Sequence, residues 1–362
     1  MKIGIDARLI GETGIGRYIR NLMTGLGAQD VENSYVVFLP KFAYDAFILP
    51  NSRWEKRLCA IHWHTLKEQL VMPFIFGREH LDLLHVPYFN APIFYSRPYV
   101  VTIHDLTILH VTTGKATTLP KLLYFLRKIG YQVIIRLGVK RARHIIAVSE
   151  STKNDIVKSL GTNPSKISVT YEGVDTLIAS DSKTPPVKTP YFLYVGNAYP
   201  HKNLEFLIRG FGTFLVKHPN YNLVLVGKHD FFYGRLKQWI EQFAWKIHII
   251  FVESASDEVL ASYYKHSASF VFPSLMEGFG LPALEAMKLG APVIVSDIPV
   301  FHELFASIPT YFDPEKEESL VAAMEQITAG KKKQLNDSEK KIIAQYQWEN
   351  TAKETLRVYA SI

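Results

Sequence analysis

The chain holds a single cysteine, Cys59, among its 362 residues. One thiol makes no internal disulfide and no cysteine-based zinc site, so disulfide scaffolds and zinc modules are excluded. Long apolar runs are missing too, and none approaches the roughly 20 residues that span a bilayer. Low-complexity tracts and nucleic-acid-binding motifs are also absent. The first residues, Met1-Lys2-Ile3-Gly4-Ile5-Asp6, read as a strand ending in an acid rather than as a secretory leader. These absences together predict a folded cytoplasmic protein.

Hydrophobic residues make up 48% of the chain, enough at this length for two domains with separate cores. The formal net charge of +7 is unevenly spread. Through residue 177 there are 22 Lys and Arg against 14 Asp and Glu, and beyond it 19 against 20. A basic first half predicts an anionic partner on that side, with a membrane surface ranked first and no nucleic acid expected. A merely solvated basic surface is the plainer reading of the same numbers.

Short apolar runs alternate with longer helical stretches. Strands are expected at Lys2–Asp6, Tyr35–Leu39, Leu81–Val86, Tyr99–His104, Ile145–Ser149 and Ile167–Tyr171. A second series falls at Tyr191–Gly196, Asn222–Gly227, His248–Val252, Ser269–Phe272, Pro292–Ser296 and Thr310–Phe312. Strands separated by helices imply parallel sheets covered on both faces. Two series imply an α/β chain of two doubly wound, Rossmann-like domains facing each other across a cleft. The expected division is 1–177, a linker at 178–190 rich in Ser, Thr, Lys and Pro, a second domain at 191–345, and a closing helix at 346–362.

Ligands of such sheets bind beyond the carboxyl ends of the strands. The richest candidate is Pro273 to Met287. There a strand ends at Pro273, a loop with Gly278 and Gly280 follows, and Pro282 opens a helix that Gly290 and Pro292 stop. Glu277 lies in the loop and Glu285 one turn into the helix. A helix N-terminus behind flexible backbone receives an anion, and flanking carboxylates receive hydroxyls, so the ligand should carry both. After the first strand, Gly14 and Gly16 allow a turn into a helix beginning near Arg17. The third glycine of a dinucleotide fingerprint is lacking. His104-Asp105 ends a central strand, where the His can pass a proton and the Asp can orient it or bind a hydroxyl. Lys202 and Asn203 stand where a helix begins, an end whose dipole disfavours cations, so Lys202 is better explained by a bound phosphate.

A helix from Thr118 to Arg143, with breaks expected at Gly130 or Gly138, carries Leu119, Leu122, Leu126, Ile129, Val133 and Leu137 on one face. Seven cations stand elsewhere on it, from Lys121 to Arg143. A core stripe under a solvated basic face explains the pattern, and so does an amphipathic helix on an anionic leaflet.

With these pieces together the chain resembles the retaining glycosyltransferases of family four, which have the two-domain GT-B fold. Glu277 and Glu285, with Gly278-Phe279-Gly280 between them, match the family's paired glutamates. Lys202 matches its phosphate-binding lysine, Gly14-Ile15-Gly16 its N-terminal glycine loop, and His104 its strand-end histidine. The resemblance implies transfer of a hexose from a nucleotide sugar to a hydroxyl of a saccharide or lipid-linked acceptor. GDP-mannose is the preferred donor and a UDP-hexose the next. It implies Glu285 on the ribose hydroxyls, Glu277 on the donor sugar, and backbone N–H groups of Phe279, Gly280 and Leu281 on sugar and diphosphate. Lys202 would take leaving-group charge, Gly14 and Gly16 would let their loop approach the phosphates, His104 would donate to a sugar hydroxyl or the transition state, and Asp105 would stand on the acceptor side. The family often has an arginine where this chain has Asn197, which cannot replace its charge, and His201 is the nearby candidate for compensation. No Asp-x-Asp motif is present, so no metal and no other cofactor are expected. A nucleotide-sugar epimerase on the same fold, and a nucleotide-sugar-binding protein without catalysis, are the alternatives.

Overall fold

The computed structural model describes residues 1–110, 121–175, 177, 186–330 and 335–362. These form two compact units. One comprises Met1–Leu109, residues 121–173 and Gln347–Ile362, and the other runs from Val174 to Tyr346. Most of the expected linker, residues 178–185, lies outside the described residues.

The first unit begins β1 (Lys2–Asp6), α1 (Gly14–Gln29), β2 (Ser34–Leu39), α2 (Lys41–Tyr44) and β3 (Trp54–Leu58). It continues α3 (Leu66–Arg78), β4 (Leu83–Val86), β5 (Tyr99–Ile103), α4 (Thr107–His110), α5 (Lys121–Arg141), β6 (His144–Ala147), α6 (Glu150–Leu160) and β7 (Ile167–Val169). All seven strands are parallel, in the order β3-β2-β1-β4-β5-β6-β7. Runs such as Tyr35–Leu39 are buried throughout because helices cover both faces. One face packs on Met72 and Phe76 of α3, Ile135 and Val139 of α5, and Ile156 of α6. The other packs on Tyr18, Leu22 and Leu26 of α1 and on the chain's last helix.

Strand β3 was not expected from the sequence. Three of its five residues, Glu55, Lys56 and Arg57, are charged, which an edge strand with one neighbour tolerates. Trp54 stacks on Tyr35 with ring centroids 4.2 Å apart, and Arg57 donates to Glu79 at 2.7 Å.

The long helix differs from expectation in one respect and decides another. It runs unbroken through Gly130 and Gly138 as α5, with residues 118–120, Leu119 among them, outside the described residues. Its apolar stripe, which the sequence allows to face either the core or an outer surface, points outward. Leu126, Ile129, Val133 and Leu137 are exposed, whereas Ile135, Val139 and Ala142 are buried. The small residues decide this: Gly138 lies against Ala91, and its carbonyl accepts a 2.7 Å bond from the Tyr99 hydroxyl, drawing that face onto the sheet.

The second unit runs β8 (Tyr191–Val195), α7 (Leu204–Leu215), β9 (Asn222–Val226), α8 (Phe231–Ile240), β10 (Ile249–Val252), α9 (Asp257–His266) and β11 (Ser269–Phe272). Then come α10 (Leu281–Lys288), β12 (Val293–Ser296), α11 (Pro299–Phe305), β13 (Thr310–Phe312), α12 (Glu317–Ala329) and α13 (Asp337–Ala344). Its six parallel strands are ordered β10-β9-β8-β11-β12-β13. The last helix, α14 (Trp348–Ala360), belongs to the first unit and lies along α1. Gly25 makes that approach possible, since a Cβ there would sit 2.6 Å from the Cβ of Ala352.

Each sheet reverses its winding once, between β1 and β4 and between β8 and β11. At such a switch point the connections on either side leave in opposite directions and open a crevice at the strands' carboxyl ends. The loops after these four strands are therefore where a ligand is to be sought.

Candidate active site

In the second unit the loops after β8 and β11 meet at the switch point. The β8 loop starts at Gly196, whose φ of 150° only glycine adopts readily. It then turns through a single 3₁₀ turn, Pro200–Lys202, and ends at Asn203 in the left-handed region with φ 59°. Asparagine tolerates that conformation, and its side chain is tied to the Pro314 carbonyl at 3.1 Å. The β11 loop is joined to it by a 2.8 Å bond from the Leu275 N–H to the His201 carbonyl. Held in this way, the Lys202 ammonium lies 2.5 Å from Glu277 Oε1, with the two side chains only 15% and 12% exposed. Lys202 also stands 5.4 Å above the ring of Phe272, the last residue of β11. Two residues 75 apart in sequence thus form one nearly buried ion pair in the crevice.

Gly278, Phe279 and Gly280 carry the chain from Glu277 to α10. Phe279 is buried and meets Tyr346 edge-on at 5.6 Å, fixing the loop from behind. Gly280 has φ 142°, and a Cβ there would come within 2.9 Å of Phe305, so only glycine fits. Pro282 supplies no N–H and Ala283 donates to the Gly280 carbonyl at 3.0 Å, which leaves Gly280 and Leu281 as the donors at the tip of α10. Glu285, one turn in, is 2% exposed and accepts from the Tyr264 hydroxyl of α9 at 3.1 Å. The helix ends with Gly290 at φ 71°, where Gly290 and Ala291 donate to the carbonyls of Met287 and Ala286.

Asn197 is occupied locally. Its side-chain oxygen accepts from the Tyr199 N–H at 3.3 Å, and its carbonyl accepts from the Tyr194 hydroxyl at 2.6 Å. Ser274, not singled out from the sequence, lies in the β11 loop with a buried hydroxyl that has no partner among the described residues. A serine before an apolar residue gives no sequence signal for this. A cavity of about 240 Å³ opens beside the β8 loop, lined by Tyr199, Asn203, Phe232 and Arg235 among others, but not by Lys202 or Glu277.

In the first unit, α1 starts at Gly14 rather than near Arg17. The two glycines differ in their surroundings. Nothing lies within 4 Å of a Cβ at Gly14, whereas one at Gly16 would meet the Ile10 carbonyl oxygen at 2.5 Å. The close approach at Gly16 is thus to the chain's own loop.

His104 follows β5. Its Nδ1 lies 2.8 Å from Glu172 Oε1 and its Nε2 3.1 Å from the Pro87 carbonyl oxygen, and both partners are acceptors. Only a ring protonated at both nitrogens satisfies both. Burial opposes that charge, but the hydrogen bond and charge of Glu172 outweigh it, aided by the Pro87 carbonyl and Asp105, and hold the imidazole above its ordinary pKa. Tyr18 meets the ring edge-on at 4.8 Å. Asp105, expected either to orient this ring or to bind a hydroxyl, accepts from the Thr107 N–H at 2.8 Å and so starts α4. The orienting group is Glu172, 68 residues away and 5% exposed. Glu172 lies in Tyr171-Glu172-Gly173-Val174-Asp175, a segment that resembles the family's, but its pairing with His104 arises only when the chain after β5 and the chain after β7 meet at the carboxyl end of the sheet.

Comparison with known proteins reaches most of the chain. A sequence profile of glycosyltransferase family 4 matches residues 13–176, and one of glycosyl transferases group 1 matches residues 177–344. The O-antigen chain mannosyltransferase RfbU of Salmonella typhimurium is 30% identical over 84% of this chain and 80% of its own length. The O-antigen chain mannosyltransferase B of Escherichia coli is 26% identical over 78% of this chain and 75% of its own. The GDP-mannose:cellobiosyl-diphosphopolyprenol alpha-mannosyltransferase of Xanthomonas campestris is 28% identical over 49% of this chain and 47% of its own. Among solved structures, sucrose-phosphate synthase from Thermosynechococcus elongatus superposes with a TM-score of 0.78 at 20% identity, covering 100% of this chain and 98% of that one.

Proposed function

Because the chain belongs to the family-four glycosyltransferases of GT-B fold, we propose that it moves mannose from GDP-mannose to a hydroxyl of a lipid-linked saccharide, with retention at the anomeric carbon. The names of the Salmonella, Escherichia and Xanthomonas relatives support mannose as the sugar, and the last supports both the guanine nucleotide and the lipid-linked acceptor.

The observation that carries the reading is the Lys202–Glu277 pair in the crevice of the second unit. A sugar diphosphate seated there would bring its phosphate oxygens to Lys202 and to the N–H groups of Gly280 and Leu281 at the tip of α10. Its sugar hydroxyls would lie at Glu277. The bond that breaks joins the anomeric carbon to the diphosphate, and the departing oxygen gains negative charge. Lys202 and the helix donors stand ready for that charge without reorganising, which is the arrangement that lowers a barrier most. Glu277 keeps its own negative charge beside the sugar and favours the positive charge that develops on its anomeric carbon. The bond that forms joins that carbon to the acceptor oxygen, whose proton leaves with the diphosphate. In this reading the leaving-group charge is met by protein groups and no metal takes part, so a chelator should leave the rate unchanged. Glu285, one turn into α10 behind the glycine loop, is assigned to the ribose diol, and the first unit with His104 to the acceptor side.

The test is a panel of nucleotide sugars read by thermal shift and by donor hydrolysis without acceptor. GDP-mannose should raise the melting temperature most and be slowly hydrolysed. Lys202→Ala and Glu277→Ala should each lower turnover by about 10²-fold or more, with a native circular-dichroism spectrum. Near-normal rates in both variants would overturn the assignment, and an epimerised donor would move the protein to the isomerase alternative.

A further inference from the structure

The β8 loop of the second unit serves two neighbours. It carries Lys202, which is bonded to Glu277 of the β11 loop. It also walls the cavity of about 240 Å³, together with the start of α7 and one side of α8. These walls are fixed by the protein's own bonds. The Tyr233 hydroxyl of α8 donates to the Gly196 carbonyl, where the loop begins, at 2.9 Å. Asp230 caps α8 by accepting from the N–H groups of Phe232 and Tyr233 at 2.9 and 3.0 Å. The start of α8 is thereby held at a set distance from the loop, and the space between them is preformed.

The lining combines rings, apolar groups and both signs of charge. Leu204 and Leu236 are buried and apolar. Tyr199 is 42% exposed and meets Phe232 nearly at right angles, with ring centroids 4.9 Å apart. Glu205 brings a carboxylate and Arg235 a guanidinium, which lies 5.9 Å over the ring of Phe231 and is steadied by it. A sugar ring has C–H faces for the aromatic walls and a rim of hydroxyls that donate to a carboxylate and accept from a guanidinium. A phosphate would gain from Arg235 but be opposed by Glu205. A lipid tail has no use for either charge. A nucleotide is too large, since sites for ligands of that size run from roughly 300 Å³ upward.

We propose that this cavity is a binding subsite for one sugar residue, separate from the donor crevice, whose Lys202 and Glu277 do not line it. On the reading given above the acceptor is a saccharide, so the residue held here is a unit of that acceptor. The assignment to the acceptor rests on that reading, and the binding of a sugar rests on the cavity alone.

The test is saturation-transfer difference NMR on the purified full-length chain with methyl α-mannoside at millimolar concentration and no nucleotide. The sugar's ring protons should receive saturation from the protein. Apparent affinity should fall by about tenfold in Tyr199→Ala and by a similar factor in Arg235→Gln. Both side chains are exposed, and thermal melts check that each variant is folded. Lys202→Ala alters the donor crevice and should leave sugar binding at the wild-type level. No binding to the wild-type chain, or binding unchanged in both cavity variants, would overturn the proposal. So would loss in Lys202→Ala with Tyr199→Ala unaffected, because the sugar would then occupy the donor crevice. Displacement of the sugar by inorganic phosphate would overturn it as well, by marking an anion site. Because no nucleotide is present, a wrong donor assignment leaves this measurement untouched, and failure here leaves the donor assignment standing.

Discussion

His104 and Glu172 show how one buried contact sets a charge state. The carboxylate and the Pro87 carbonyl leave the imidazole no acceptor role, so its protonated form is the one the native structure holds. A folded-state pKa raised above the unfolded value near 6.5 adds stability that is complete below the unfolded value. That stability is lost as pH rises through the folded value. Glu172→Gln keeps the shape and removes the charge, so it should cost about 1–3 kcal/mol near pH 6. The difference from wild type should shrink as pH rises beyond the folded-state pKa. Urea midpoints at pH 6 and pH 9 measure this, and an NMR titration of the His104 ring should show a lower pKa in the variant. A ring titrating identically in both proteins would remove Glu172 as the positioning residue.

Helix α1 shows at the next scale why two residues that look alike in sequence are not equivalent. Gly14-Ile15-Gly16 reads as one glycine loop, yet Gly14 is an exposed first residue of the helix and Gly16 is pressed on the Ile10 carbonyl. Gly16→Ala should therefore destabilise by about 1–3 kcal/mol through a forced backbone shift. Gly14→Ala should be neutral or stabilising by up to about 1 kcal/mol, because its Cβ meets nothing and alanine favours the helix. Thermal melts of the two variants should move in different directions or by clearly different amounts. The same contrast explains what could be read beforehand. Buried parallel strands announce themselves as unbroken apolar runs, so twelve of the thirteen strands were expected near their observed places. Edge strand β3 was not, since its one-sided partner leaves charged residues free to occupy it. In α5 periodicity finds the stripe but leaves open whether it faces the core or an outer surface, and the structure turns it outward. Counting apolar residues favours leucines, while the sheet favoured the face with Gly138, which allows the backbone closer. Lys202 and Glu277 were nominated separately by their helix-end and loop positions. Their contact, like that of His104 with Glu172, depends on strand order, which no local pattern encodes.

The molecule's two units are not two halves of the sequence, because the last helix returns to complete the first. Trp348, Ala352, Val358 and Tyr359 of α14 fill the core against α1, and Thr351 donates to the Tyr171 carbonyl at 2.8 Å. At the centre of this junction His85 is fully buried, its Nδ1 2.6 Å from the Tyr359 hydroxyl and its Nε2 2.7 Å from Thr102 Oγ1. Burial, with the nearby charge of His104, lowers its pKa to about 3. His64, partly buried beside Tyr88 and Tyr131, is lowered to about 4 by burial and by Arg127. Depressed values contribute stability that is present above the unfolded pKa near 6.5 and lost as pH falls through the folded value. His104 works in the opposite direction above pH 6.5 and adds nothing further below it. The whole chain should therefore be most stable a little above the ordinary histidine range and lose stability on acidification from about pH 6.5 toward pH 4. Each of the two buried neutral histidines should contribute up to about 1.4 kcal/mol per pH unit to that loss. His85→Gln should be less stable than wild type at pH 7, since Tyr359 and Thr102 lose an ideal partner, yet fall less steeply by one proton's slope between pH 6 and pH 4. Urea unfolding at four pH values across that range measures both curves. Parallel curves would show that His85 does not carry the acid sensitivity of the junction between α14 and the first sheet.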